Sequence, residues 1–322
     1  MQIKKGEIMF RRIIQTLCYV IIITTLSIAQ NQQNIYSKAF GNSSNPPIIF
    51  LHGGPGYNCG GFEFTTAQKL SENGFYVIVY DQRGCGRSQD FTDAKFTLQE
   101  NLFDLDAVFQ TYNLTKATLM GHSWGGTLSA FYAEQHPEKV DKLIFVSSPI
   151  SYPQTLKAIL RICKEIYTSK GDQTNLNYIA MLEKMDTTSF AYSSYLFMHA
   201  LSCNLYSPKN FSEEAKEIYK SLMAHPDSKL LKQNDKKPLE GIFKDIQYTT
   251  LNIRDKIVKL KTHVKVYGIY GSDDGLLDKK QLDDIASIIG QENFAIISDA
   301  SHNVFIDQQT SFMEQVKLFM KN

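Results

Sequence analysis

The sequence carries almost no excess charge of either sign: 34 Lys and Arg stand against 33 Asp and Glu over 322 residues, a formal +1. A nucleic-acid binder needs a concentrated basic stripe that neutralises phosphates, and none is present. The lysines between residues 229 and 237 read as solvated surface. Cysteine is scarce as well. There are five, none in a CxxC pair, so a cysteine-based metal site has no support, and no cofactor is expected. No internal repeat is present. With 43% hydrophobic and 21% charged residues, the composition excludes a disordered, collagen-like or coiled-coil chain. Long apolar runs are missing too: the longest, residues 17–26, is too short for a comfortable membrane span.

That run belongs to a targeting segment. Lys4, Lys5, Arg11 and Arg12 precede it against the single acid Glu7, a net +3 that leaves −2 for the remainder. Ser27 and Ala29 stand at the −3 and −1 positions of a cut before Gln30. Residues 1–29 are therefore expected to be a signal peptide, with an extracytoplasmic mature chain. Membrane association is expected only if the segment is retained as an anchor.

Beyond it, short continuous apolar runs recur at 48–51, 75–80, 117–120, 143–146, 264–270 and 294–297, after an alternating edge-strand segment at 35–40. Runs without alternation suggest strands buried on both faces, hence a mostly parallel sheet covered by helices. Between them lie helical stripes. Leu98, Leu102, Leu105, Phe109 and Tyr112 form one, opened by a Thr97–Glu100 capping box, and Phe312, Val316 and Phe319 form another. The alternation identifies an α/β core over 30–150 and 251–322. It breaks between 151 and 250, which reads as a helical cap insertion. Within the cap, residues 187–208 hold no charge but include Phe190, Tyr192, Phe197, Leu201 and Tyr206, suited to a pocket wall or to packing.

Chemistry enters with Gly121, His122, Ser123, Trp124 and Gly125, a G-x-S-x-G pattern between an apolar run and a helical stretch. Such a strand–turn–helix setting pushes the Ser123 hydroxyl into the open, and the glycines are needed because side chains there would collide. A serine attacks only if a base removes its proton, and the base needs a carboxylate to orient it. In chain order serine–acid–histidine, His302 follows the last buried run. Asp273 and Asp274 follow the preceding one, and motif position favours Asp274. All three loops open at the edge where α/β sheets bind ligands. His122 is expected to point away from Ser123, and the other histidines sit in the cap, at a helix end or at the opposite edge. The oxyanion needs N–H donors: Trp124, and Gly54 in the loop of His52, Gly53, Gly54, Pro55 and Gly56. That loop lacks the lysine and spacing of a P-loop. With His302 as base, kcat/KM should fall below about pH 6–7, where imidazole gains a proton.

Together the 52–56 loop, the 81–88 segment (Asp81, Gln82, Arg83, Gly84, Cys85, Gly86, Arg87, Ser88), the elbow with Gly126, and the late Asp274 and His302 resemble the proline iminopeptidase-like branch of the α/β-hydrolases. The resemblance covers about residues 35–150 and 251–322. It implies an α/β-hydrolase fold with an eight-stranded sheet, a cap inserted after the sixth strand, and hydrolysis through an acyl-enzyme. It also implies Ser123, Asp274 and His302 as triad, Gly54 and Trp124 as oxyanion donors, and Arg83 and Arg87 in structural ion pairs. The chain departs from the branch in having room for only one leading strand, a single tryptophan (Trp124), and cap acids Glu183, Glu213, Glu214 and Glu217 that match no amine-binding motif. The implied activity is an aminopeptidase acting on a short peptide. The alternatives are an esterase/amidase on small apolar acyl substrates and a non-catalytic binding protein. Cys59 and Cys85, both in catalytic-edge loops, could pair as a disulfide, although the resemblance makes an unpaired Cys85 the default.

Overall fold

The computed structural model describes residues 35–321 apart from 90 and 92. The expected signal segment and Cys18 lie outside the described residues. Seven strands form one sheet: β1 Ser37–Phe40, β2 Pro47–Leu51, β3 Tyr76–Tyr80, β4 Ala117–His122, β5 Val140–Val146, β6 Lys265–Gly271 and β7 Phe294–Ile297, in the order β1-β3-β2-β4-β5-β6-β7. Only β1 runs antiparallel, pairing Ser37 with Tyr80 and Phe40 with Val77. Every other pairing is parallel. Among the described residues the sheet is therefore one strand short of the eight the family likeness implied. The cap correspondingly follows the fifth strand and not the sixth, because a single leading strand precedes β2.

Two-sided burial explains the unbroken apolar runs. Ile49, Leu51, Ile78, Leu119 and Phe145 pack on one face with Leu105 and Phe109 of helix α1 (Leu98–Thr111) and Leu128 and Tyr132 of helix α2 (Trp124–Gln135). Ile48, Phe50, Val77, Val79 and Met120 face the opposite side. There they meet Phe62 and Leu70 of the helical stretch 60–72 and the last helix, Gln309–Lys321, through Phe312, Val316 and Phe319. Each fully buried side chain of this kind stabilises the fold by roughly 1.5–3 kcal/mol relative to exposure. The Thr97–Glu100 capping box is present at the start of α1: the threonine side chain accepts from the Glu100 N–H and the glutamate from the Thr97 N–H.

Between β5 and β6 lie five cap helices, α3 Tyr152–Lys170, α4 Gln173–Leu182, α5 Phe190–Ser202, α6 Glu213–Ala224 and α7 Lys236–Ile246, and then the short core helix Arg254–Leu260. A bridge between Ser151 and Asn252 ties the two ends of this excursion together. Because β2 and β4 to β7 are parallel, the segments leaving Leu51, His122, Val146, Gly271 and Ile297 all emerge at one edge, beneath the cap.

Candidate active site

Ser123 sits at the turn between β4 and α2 with φ 51° and ψ −122°, a backbone conformation that costs a non-glycine residue strain. Neighbouring hydrogen bonds hold it there. The Ser123 N–H donates to the Val146 carbonyl at 2.9 Å, and its own carbonyl accepts from Ser148 Oγ at 2.7 Å. The flanking glycines are steric necessities. A Cβ at Gly125 would lie 2.1 Å from the Leu51 carbonyl oxygen, and one at Gly121 would lie 2.4 Å from Gly126.

His302 and Asp274 meet across the loops after β7 and β6. Nδ1 of His302 lies 2.9 Å from Oδ2 of Asp274, with both side chains nearly sealed from solvent. The other carboxylate oxygen accepts the Leu276 N–H at 3.0 Å. With Nδ1 so engaged, Nε2 is the ring nitrogen left to accept a proton. The adjacent Asp273 does different work: its carboxylate takes the N–H of Lys209 at 2.9 Å and pairs with the Lys209 ammonium at 3.3 Å, anchoring the cap.

Ser123, His302 and Gly54 face one cavity of about 470 Å³. No hydrogen bond joins Ser123 to His302; contacts between a nucleophile and its base often tighten only in the substrate complex. The glycine loop lies directly against Ser123, since a Cβ at Gly53 would come within 3.0 Å of Ser123 Cβ. Trp124 is the first residue of α2, where backbone N–H groups lack helical partners. Its indole packs with Tyr152 and Tyr248, both of which line the cavity.

The sequence matches the model of the alpha/beta hydrolase fold family over residues 46–309, well over half of the chain. This chain belongs to the α/β hydrolases. It is 28% identical over 301 residues to a proline iminopeptidase of Saccharolobus solfataricus, spanning 89% of each chain. Among solved structures, the proline iminopeptidase of Mycobacterium smegmatis superposes with a TM-score of 0.62 at 20% identity, covering 89% of this chain and 94% of that one. An esterase from Exiguobacterium antarcticum superposes with a TM-score of 0.59, also at 20% identity, covering 89% and 96%. At that identity the two structures speak for the fold alone.

Several residues of the hydrolase escaped the sequence reading. His122 does not point away: it lines the cavity, and its Nε2 donates to the His302 carbonyl at 2.9 Å. Burial, and then the neighbouring His302, push its pKa down to about 3, so it is a neutral donor. His52 accepts the Gln82 N–H on Nε2 at 2.9 Å, so its Nδ1 carries the proton and donates to Gly53 O at 2.7 Å. It thereby ties the glycine loop to the 81–88 segment. Asp307, fully buried, accepts from the Ser301 N–H at 2.8 Å and from Tyr219 of cap helix α6 at 2.8 Å. No motif marks it.

The 81–88 segment is scaffold. Arg83 grips Asp104 with two bonds of 2.6 and 2.5 Å, and Arg87 pairs with Asp81 and Glu63, each at 2.8 Å. Cys59 and Cys85 form no disulfide. Cys59 Sγ faces Arg87 and Glu63, whereas Cys85 Sγ donates to the Arg83 carbonyl at 3.6 Å, so the two thiols have different partners. The uncharged cap stretch serves both expected purposes: Phe197, Leu201 and Tyr206 line the cavity while Tyr192, Leu196 and Ala200 pack inward. The lysines of the 229–237 stretch are exposed, as expected of solvated surface, and residues 231–234, Lys232 included, also form part of the cavity wall.

Proposed function

We propose that this chain is a serine hydrolase that works through an acyl-enzyme, with Ser123 as nucleophile, His302 as general base and Asp274 as its orienting carboxylate. The observation that carries the reading is the His302 Nδ1–Asp274 Oδ2 contact of 2.9 Å opening on the cavity that Ser123 also faces. His302 Nε2 takes the proton from Ser123 Oγ as the oxygen attacks the scissile carbonyl, and the imidazolium is stabilised by Asp274. The N–H groups of Gly54 and Trp124 receive the oxyanion. Collapse expels the leaving group with the proton held by His302, and water then repeats the sequence to free the acid. The names of the relatives support an aminopeptidase and the apolar cavity wall supports an esterase or amidase; both run on this machinery.

The test is labelling with a fluorophosphonate, which should modify wild type and spare Ser123→Ala. The same variant should lose at least 1,000-fold in kcat, on the order of what a missing triad nucleophile removes, while its thermal midpoint stays within a few degrees. Undiminished ligand binding together with unlabelled wild-type protein would instead favour a binding protein that reuses the fold. We also propose export with a cut before Gln30, supported by the basic stretch, apolar run and small residues of the leader.

A further inference from the structure

An aminopeptidase substrate carries its ammonium on the carbon attached to the scissile carbonyl. Whatever cavity receives that carbonyl must therefore receive the cation too. Stripping water from an ammonium is costly unless an anion replaces it, so such an enzyme must place a carboxylate in its cavity wall within a few ångströms of the nucleophile.

Among the described residues no Asp or Glu lines the cavity around Ser123. Asp274 lies behind His302 with both oxygens occupied, by the imidazole and by the Leu276 N–H. The cap acids Glu183, Glu213, Glu214 and Glu217 are engaged elsewhere. Glu183 pairs with Lys164 at 2.6 Å, Glu213 with Lys216 at 2.6 Å and Glu217 with Lys220 at 3.8 Å. Glu214 accepts from Thr310 Oγ1 at 2.7 Å. Asp235, next to the wall in sequence, accepts from Gln89 at 2.9 Å.

What the wall does hold is a cation. Lys232 lines the cavity and, among the described residues, has no carboxylate partner. Beside it stand the neutral amides of Gln233 and Asn234, and apart from the Thr155 hydroxyl the rest of the cap side is apolar or phenolic, with Phe197, Leu201 and Tyr248. A free ammonium brought into this cavity would share its wall with exposed Lys232 and, among the described residues, find no carboxylate, whereas a neutral acyl group would meet neither penalty.

Resting on the acyl-transfer reading above, we infer that the substrates of this hydrolase are esters or amides whose acyl group bears no free amine, and that Lys232 is a specificity-determining residue that disfavours ammonium-bearing acyl groups. This separates the chain from the activity named for its proline iminopeptidase relatives.

A matched pair of probes tests it on the full chain: alanine methyl ester and N-acetylalanine methyl ester, which differ at the acyl group only in the amine. The N-acetyl ester should be hydrolysed with a kcat/KM at least tenfold higher. Where turnover is too slow to follow, it should protect Ser123 from fluorophosphonate at lower concentration than the free amine does. In Lys232→Glu the ratio of free-amine to blocked substrate should rise about tenfold. Equal use of the two esters, preference for the free amine, or protection by neither overturns the inference while labelling of Ser123 leaves the hydrolase reading intact. Absence of labelling in wild type overturns that reading and this inference with it.

Discussion

Nε2 of His122 lies 2.9 Å from the main-chain carbonyl oxygen of His302, so the residue beside Ser123 holds the backbone of the proposed base. His122→Phe keeps a ring against Phe305 but removes the donor, leaving a buried carbonyl unpaired. The His302 loop then loses a fixed point. Steady-state kinetics on an ester substrate should show kcat reduced by roughly tenfold with KM changed less than about twofold, the pattern of lost transition-state positioning. An unchanged kcat would show that the contact is dispensable for positioning.

The same histidine makes folding sensitive to acid. Its folded-state pKa, about 3, lies below the unfolded value near 6.5. Between those limits the unfolded chain binds a proton that the folded chain refuses. Its contribution is therefore complete above about pH 6.5 and is lost as pH falls toward 3, by up to about 1.4 kcal/mol per pH unit. His52, also depressed by burial, acts in the same direction. Urea unfolding at pH 7 and pH 5 should give a lower midpoint at pH 5, and His122→Phe should narrow the gap between the two.

Asp307 connects the cap to the histidine loop. Asp307→Asn exchanges an acceptor for a group that presents two hydrogens, while the Ser301 N–H and the Tyr219 hydroxyl still need acceptors. A destabilisation of about 1–3 kcal/mol is expected, visible in chemical denaturation. Tyr219→Phe removes the cap contact alone and should cost about 0.5–1.5 kcal/mol. If the two variants were equally stable, the Ser301 contact would contribute nothing.

Gly125→Ala should not yield a native elbow. The added methyl would overlap the Leu51 carbonyl, a backbone atom in a central strand that cannot step aside. The protein is expected to be insoluble or to melt many degrees below wild type, as calorimetry or a solubility assay would show; near-wild-type stability would contradict the close approach.

Thiol counting examines two expectations at once. Alkylation under denaturing, non-reducing conditions should add four groups to a chain cut before Gln30, because Cys59, Cys85, Cys163 and Cys203 are all free. An uncut chain should take five, since it keeps Cys18. A processed chain with two adducts would reveal a disulfide that the structure lacks.

The primary sequence determined the layout. Continuous apolar runs marked six of the seven strands, because a strand covered on both faces has no polar side to show, and alternation marked the edge strand β1. Glycines at 121 and 125, a serine between them, and an acid and a histidine in loops after later strands marked the candidate chemistry, because those residue types are what a tight turn and an activated alcohol require. Only the tertiary structure decided the remainder. Which of two adjacent aspartates faces His302, that His122 turns inward, that Asp307 braces the loop, and that Lys232 and, among the described residues, no carboxylate borders the cavity all depend on residues brought together from distant segments. Side-chain direction in loops and the pairing of buried polar groups have no period to betray them, so they appear only when the chain has folded.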